Sequence, residues 1–206
     1  MPSLSSYDRG KKAFEGRRYR HDLDVGNDAI AAYIKSYTHR VTSMDALEGN
    51  HEFRIVRAVE MSQELEGTVS TDQLGWHEAG YEYHPYKGAT PCVITRDGIN
   101  YAHFFISGVQ GRPISGEHPA YSLLSKQFSS CVAGHSHLRD FAERTTANKK
   151  KISGLIAGCF LEHFENYAGE ANEIWWSGVV LLHVFPDGSF DPEFISLKRL
   201  KELYGR

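Results

Sequence analysis

The chain has 206 residues, enough for a domain with its own core, with 41% hydrophobic and 24% charged residues. These are the proportions of an ordinary globular protein, and 12% aromatics argue against long disorder. A formal net charge of -3 excludes a global basic field for gripping nucleic acid, though a local phosphate site stays open.

Residues 1–20 are polar and basic, and read as an exposed arm or loop with no apolar run of signal-peptide length. Cys92, Cys131 and Cys159 are scattered without a Cys-x-x-Cys pair, which suits a reducing compartment. No stretch approaches the roughly 20 apolar residues that span a bilayer. The expectation is a cytoplasmic protein with no membrane partner, folded as one domain over 1–206.

A helix is expected from Asp22 to Tyr37, where Leu23, Ile30, Tyr33, Ile34 and Tyr37 recur at helical spacing. Val41 to Leu47 is ambiguous, with a short strand as one reading. Residues 52–66 read as a helix ending at Gly67, and 68–90 as loop. Around Asp97-Gly98, Val93 to Thr95 and Ile99 to Tyr101 predict a hairpin. Pro119 opens a helix through Phe128. Cys131 to Ala133 reads as a short buried strand stopped by Gly134. Phe141 to Thr145 and Ile152 to Phe160 are expected strands around the Lys149 to Lys151 turn. Val179 to Phe185 reads as an apolar strand, Asp187-Gly188 as a turn, and Phe194-Ile195 as further sheet. A helix from Leu197 to Tyr204 closes the chain.

Two short segments stand out chemically. Gly49-Asn50-His51-Glu52 follows a possible strand, and Gly134-His135-Ser136-His137 follows a buried one. His103 lies between them, just past another strand. Strand ends hold side chains firmly yet leave them reachable, and ligands collect there in α/β proteins. Imidazole nitrogens and amide or carboxylate oxygens are good ligands for zinc, manganese and iron. His135 and His137 share a face if the segment is extended and diverge if it is a tight loop.

These residues carry a resemblance. Gly49-Asn50-His51-Glu52 resembles the Gly-Asn-His-Asp/Glu motif of calcineurin-like metallophosphoesterases, and Gly134-His135-Ser136-His137 resembles their Gly-His-x-His motif. His103 falls where that superfamily places an isolated histidine ligand. The stretch from His103 to Gly111, Trp175-Trp176 and the end of the chain are similar to phage and prophage-type members.

The resemblance implies a layered α-β-β-α sandwich and a hydrolase acting on phosphomonoesters or phosphodiesters through a metal-bridged hydroxide. Two divalent ions (Mn, Fe or Zn) are its implied cofactors, and nucleic acid is a possible substrate. Asn50, His103 and His135 would bind the second metal and His137 the first. His51 would act at the scissile phosphate, with Glu52 orienting it. Arg54 is a weaker candidate for a phosphate contact, since a solvated helix face explains it as well.

The sequence departs from the family in containing no Asp-x-His and no Gly-Asp. Those motifs supply two ligands of the first metal and the bridging carboxylate. The fold is therefore expected to be N-terminally truncated, with the missing segment or another subunit as a possible partner. The alternative reading is a catalytically impaired remnant that serves as a metal-binding or interaction module. Trp175 and Trp176 read as packing, His163 and His183 as core or edge histidines, and the three lysines as a solvated turn. His77 and His84, among Tyr81, Tyr83 and Tyr86, allow a substrate-facing loop as the less favoured reading.

Overall fold

The computed structural model describes residues 1–6, 8–36, 41–162, 165 and 168–205. The expected helix end at Tyr37 and the reading of His163 lie outside them. The chain divides into two compact units, Met1–Cys92 and Val93–Arg206.

In the first unit, short 3-10 turns at Pro2–Leu4 and Lys12–Phe14 precede helix α1, Tyr19–Lys35. Strand β1, Asp45–Leu47, leads into helix α2, Phe53–Met61. Two further 3-10 turns, Gln63–Leu65 and Thr71–Gln73, precede strand β2, Glu82–His84. β1 and β2 pair in parallel, with Asp45 opposite Glu82 and Leu47 opposite His84. A small core forms where Leu23, Ile55 and Leu74 meet. Of the expected α1 stripe only Leu23 is buried, and Tyr33 is exposed.

Two readings change here. The segment 1–20 is only in part the exposed arm expected: Met1 and Leu4 pack on the core and the Ser3 hydroxyl donates to Asp22 Oδ2 at 2.7 Å, while residues 9–12 are exposed. An apolar pair and one polar cap hold it down, a signal too sparse to read among the charges around it. The second lies in 68–90, expected to be loop, where β2 forms in a strand of only three residues. That is too short for its alternation to register against the glycines nearby.

In the second unit, β3, Ile94–Arg96, and β4, Ile99–Ala102, form the expected hairpin. Asp97 and Gly98 both have positive φ, at 51° and 76°, as a tight two-residue hairpin loop requires. A small antiparallel pair follows, β5, Ile106–Ser107, with β6, Arg112–Pro113. Next come helix α3, Pro119–Gln127, and strands β7, Cys131–Ala133, β8, Arg139–Thr145, and β9, Lys151–Ala157. A second hairpin, β10, Gly178–Val184, with β11, Phe190–Ser196, leads to helix α4, Leu197–Tyr204.

The main sheet runs β3-β4-β7-β9-β8, with β4, β7 and β9 parallel in its middle. Its two faces are covered differently. Neighbouring residues on a strand point to opposite sides, and Leu155 and Ile156 on β9 show the result. Ile156 joins Leu123, Ala120 and Phe105 in a cluster beneath α3. Leu155 joins Ile99 and Phe190 in a cluster that includes Val180 and Leu182 of β10. The helix comes close because position 154 is glycine: a Cβ there would sit 2.8 Å from Leu124 Cγ and 2.9 Å from the Ala120 carbonyl. The chain is a mixed α/β protein with several sheets. Among the described residues no helix is long and apolar enough to cross a membrane.

Candidate metal centre

The parallel pairing of β4 with β7 sets Ala102 opposite Ala133, so both strands end side by side. The next residues are His103 and Gly134, and the Gly134 N–H donates to the His103 carbonyl at 3.1 Å. That bond extends the ladder by one step and delivers His135 beside His103. His135 and His137 both have left-handed backbone, at φ 66° and 61°. The segment is therefore a tight loop and not extended.

His103 Nε2 lies 3.1 Å from His135 Nδ1, with the rings nearly perpendicular. Burial pulls the His103 imidazolium down to about 4, with the neighbouring His135 and His137 acting in the same direction. His135 is lowered as well, first by burial and then by His137. Both rings are thus neutral at physiological pH, the form that binds a metal. The spacing also fits: two nitrogens bound at about 2.0–2.1 Å to one tetrahedral ion stand about 3.3 Å apart.

His137 acts on both of these rings and also packs against the tryptophans. Its carbonyl accepts from the Trp176 N–H at 2.9 Å, and its ring meets Trp175 edge-on with centroids 4.2 Å apart. Its Nδ1 and the Ser136 hydroxyl are buried with no hydrogen-bond partner among the described residues. A nitrogen left in that state suits a bound ion better than an empty fold. Burial lowers the His137 pKa, and the Glu165 carboxylate opposes that by favouring the charged ring.

The first unit holds the other predicted segment. Gly49 to Glu52 forms the turn between β1 and α2, with Asn50 and His51 half-buried. Glu52 Oε2 accepts from the Gly49 N–H at 3.1 Å, so this carboxylate braces the turn itself. Arg54 reaches the Met1 carbonyl at 3.2 Å. Beside the turn, Glu48 is 2% exposed and accepts from the Tyr86 N–H. Its carboxyl is pushed up by burial, and the Tyr83 and Tyr86 phenols are raised likewise, again mainly by burial.

The structure thus brings His103 and His135 into contact and sets His137 against Trp175. The sequence reading missed three things. Glu165 and Trp175 come to His137 on a loop whose base is pinned by paired hydrogen bonds between Cys159, Trp176 and Gly178. Glu48 looked like ordinary turn composition. Finally, Asp45, Glu82 and His84 form a trio whose ligand atoms all lie within 4.8 Å of one another, and among the described residues it is the only such trio of His, Cys and carboxylate groups. Its signal was the Glu-x-His alternation inside a stretch read as loop.

A pH dependence follows for the metal-free chain. His103 titrates near 6.5 when unfolded and at about 4 when folded. The unfolded state therefore binds the extra proton in that window, and stability falls as pH drops from 6.5 towards 4. With allowance for partial exposure, about 2 kcal/mol should be lost across it. Urea unfolding in chelator at pH 7 and pH 4.5 measures this, and His103→Asn should flatten the difference.

Compared with protein-family models, curated proteins and solved structures, the chain matches none of them.

Proposed function

We propose that the chain is a metal-dependent phosphoesterase of the calcineurin-like type, hydrolysing phosphomonoesters or phosphodiesters. The observation that supports this best is the His103–His135 pair: two neutral imidazoles with their nitrogens 3.1 Å apart, at adjacent ends of parallel strands. His137, with its buried and unpartnered Nδ1, is the candidate for the other metal position. These residues would hold a divalent ion, which would supply Lewis-acid polarisation of a phosphoryl oxygen and a more acidic water.

The chain's own residues take the remaining roles. Neutral His103 and His135 offer lone pairs without first losing a proton. The left-handed backbone at His135 and His137 folds the segment into a tight loop that keeps both rings near His103. The resemblance assigns Asn50 as a further ligand and His51 as the group that meets charge at the phosphate or protonates the leaving oxygen. The Glu52 bond to the Gly49 N–H keeps that turn in one shape. Within the second unit, α3 on one face of the sheet and the β10–β11 hairpin on the other support the layered α-β-β-α arrangement as the fold. Nucleic acid is one possible substrate class.

The test is hydrolysis of a chromogenic phosphodiester by the full chain with added manganese, repeated after chelation. Turnover that needs manganese is the expected result. A folded chain that binds manganese without turnover would overturn the enzyme reading and leave the metal-binding module.

A further inference from the structure

The trio in the first unit follows from strand register. Parallel pairing sets Asp45 opposite Glu82, and residues two apart on one strand share a face, so His84 lies on the same side as both. Both carboxylates therefore lie close to the His84 ring and to each other. Its Nε2 is 2.7 Å from Asp45 Oδ1, and its Nδ1 is 3.9 Å from Glu82 Oε1. Side-chain exposure is 11% for His84, 15% for Asp45 and 68% for Glu82. Two ligands are therefore largely desolvated, and the third sits at an open rim.

We propose that Asp45, Glu82 and His84 form a divalent-cation site that staples β1 to β2. Two carboxylates and one neutral imidazole neutralise a dication. Nitrogen and oxygen donors together suit zinc or manganese better than magnesium or calcium. The ion would lie between His84 Nε2 and Asp45 Oδ1, with Glu82 supplying the third bond from the exposed rim. Water completes the coordination from the solvent side.

The fold supplies a reason for such a staple. β1 and β2 make a two-stranded parallel sheet of three residue pairs. Parallel pairs are slightly weaker per residue than antiparallel ones, and isolated two-stranded sheets are marginal in water. An ion held by both strands locks the register, and its binding energy adds to folding. The site does not rest on the phosphoesterase reading, because it shares no residue with the histidine pair.

The test is a zinc titration of the full chelator-stripped chain by calorimetry, with melting temperature as a second readout. His135→Ala serves as background, so that the second-unit histidines do not mask the result. That chain is expected to bind about one zinc and to melt higher with it. Adding Glu82→Gln, an exposed position where misfolding is not a concern, should weaken zinc at least tenfold and remove most of the thermal shift. Asp45→Asn should do the same. If His135→Ala binds no zinc, or binds it equally with both carboxylates replaced, the trio is a hydrogen-bonded cluster only and the proposal fails. The phosphoesterase reading stands or falls separately, on manganese-dependent turnover of the wild type.

Discussion

His135→Ala is expected to weaken metal binding at the second-unit histidines by at least a hundredfold and to abolish turnover with it. The bound is conservative, because losing groups that only support a ligand already costs 10–100-fold. His135 is one half of the imidazole pair, 3.1 Å from His103, and its loss removes one of the two nitrogens that the pair offers. Metal content after dialysis, measured beside hydrolysis, checks it. The fold should survive, since His135 is half-buried and on a loop, outside the Leu155–Phe190 and Leu123–Ile156 clusters. If His135→Ala retained full manganese-dependent activity, the histidine pair would not be the metal site.

The second large effect separates chemistry from binding. His51→Ala should lower kcat by about 10²–10⁴-fold, the usual contribution of one acid–base group, while metal content stays at the wild-type level. The expectation comes from the place of His51 in Gly49-Asn50-His51-Glu52, where Asn50 is the proposed ligand and His51 acts on the phosphate. Single-turnover rates with saturating manganese, set against metal content, give the split. Loss of metal together with activity would make His51 a ligand. Unchanged activity would remove it from the reaction.

Much of the second unit was legible because its signals are local. Asp97-Gly98 between apolar pairs fixes a hairpin, Pro119 opens a helix and Asp187-Gly188 marks a turn; each element appears where those residues put it. The predicted His103 and His135 meet because the strands before them are neighbours, a fact of topology that no spacing in the sequence reports. β2 escaped because three residues are too few to show a period. The trio on β1 and β2 escaped with it, since Asp45 and His84 are 39 positions apart and only register brings them together. Trp175 was read as packing, which its contact with His137 bears out. The partner of that packing and the nearby Glu165 were not legible, because the chain builds β8 and β9 before it returns to His137.

The left-handed backbone at His135 and His137 bears on how this sequence can change. A residue with a Cβ in that region costs roughly 1–2 kcal/mol that glycine would not. Two such positions, one residue apart, hold histidine, each with its ring half-buried. Folding alone would favour glycine or asparagine at both. The loop therefore stands at odds with the stability of its own scaffold, a cost for which the proposed metal site would account.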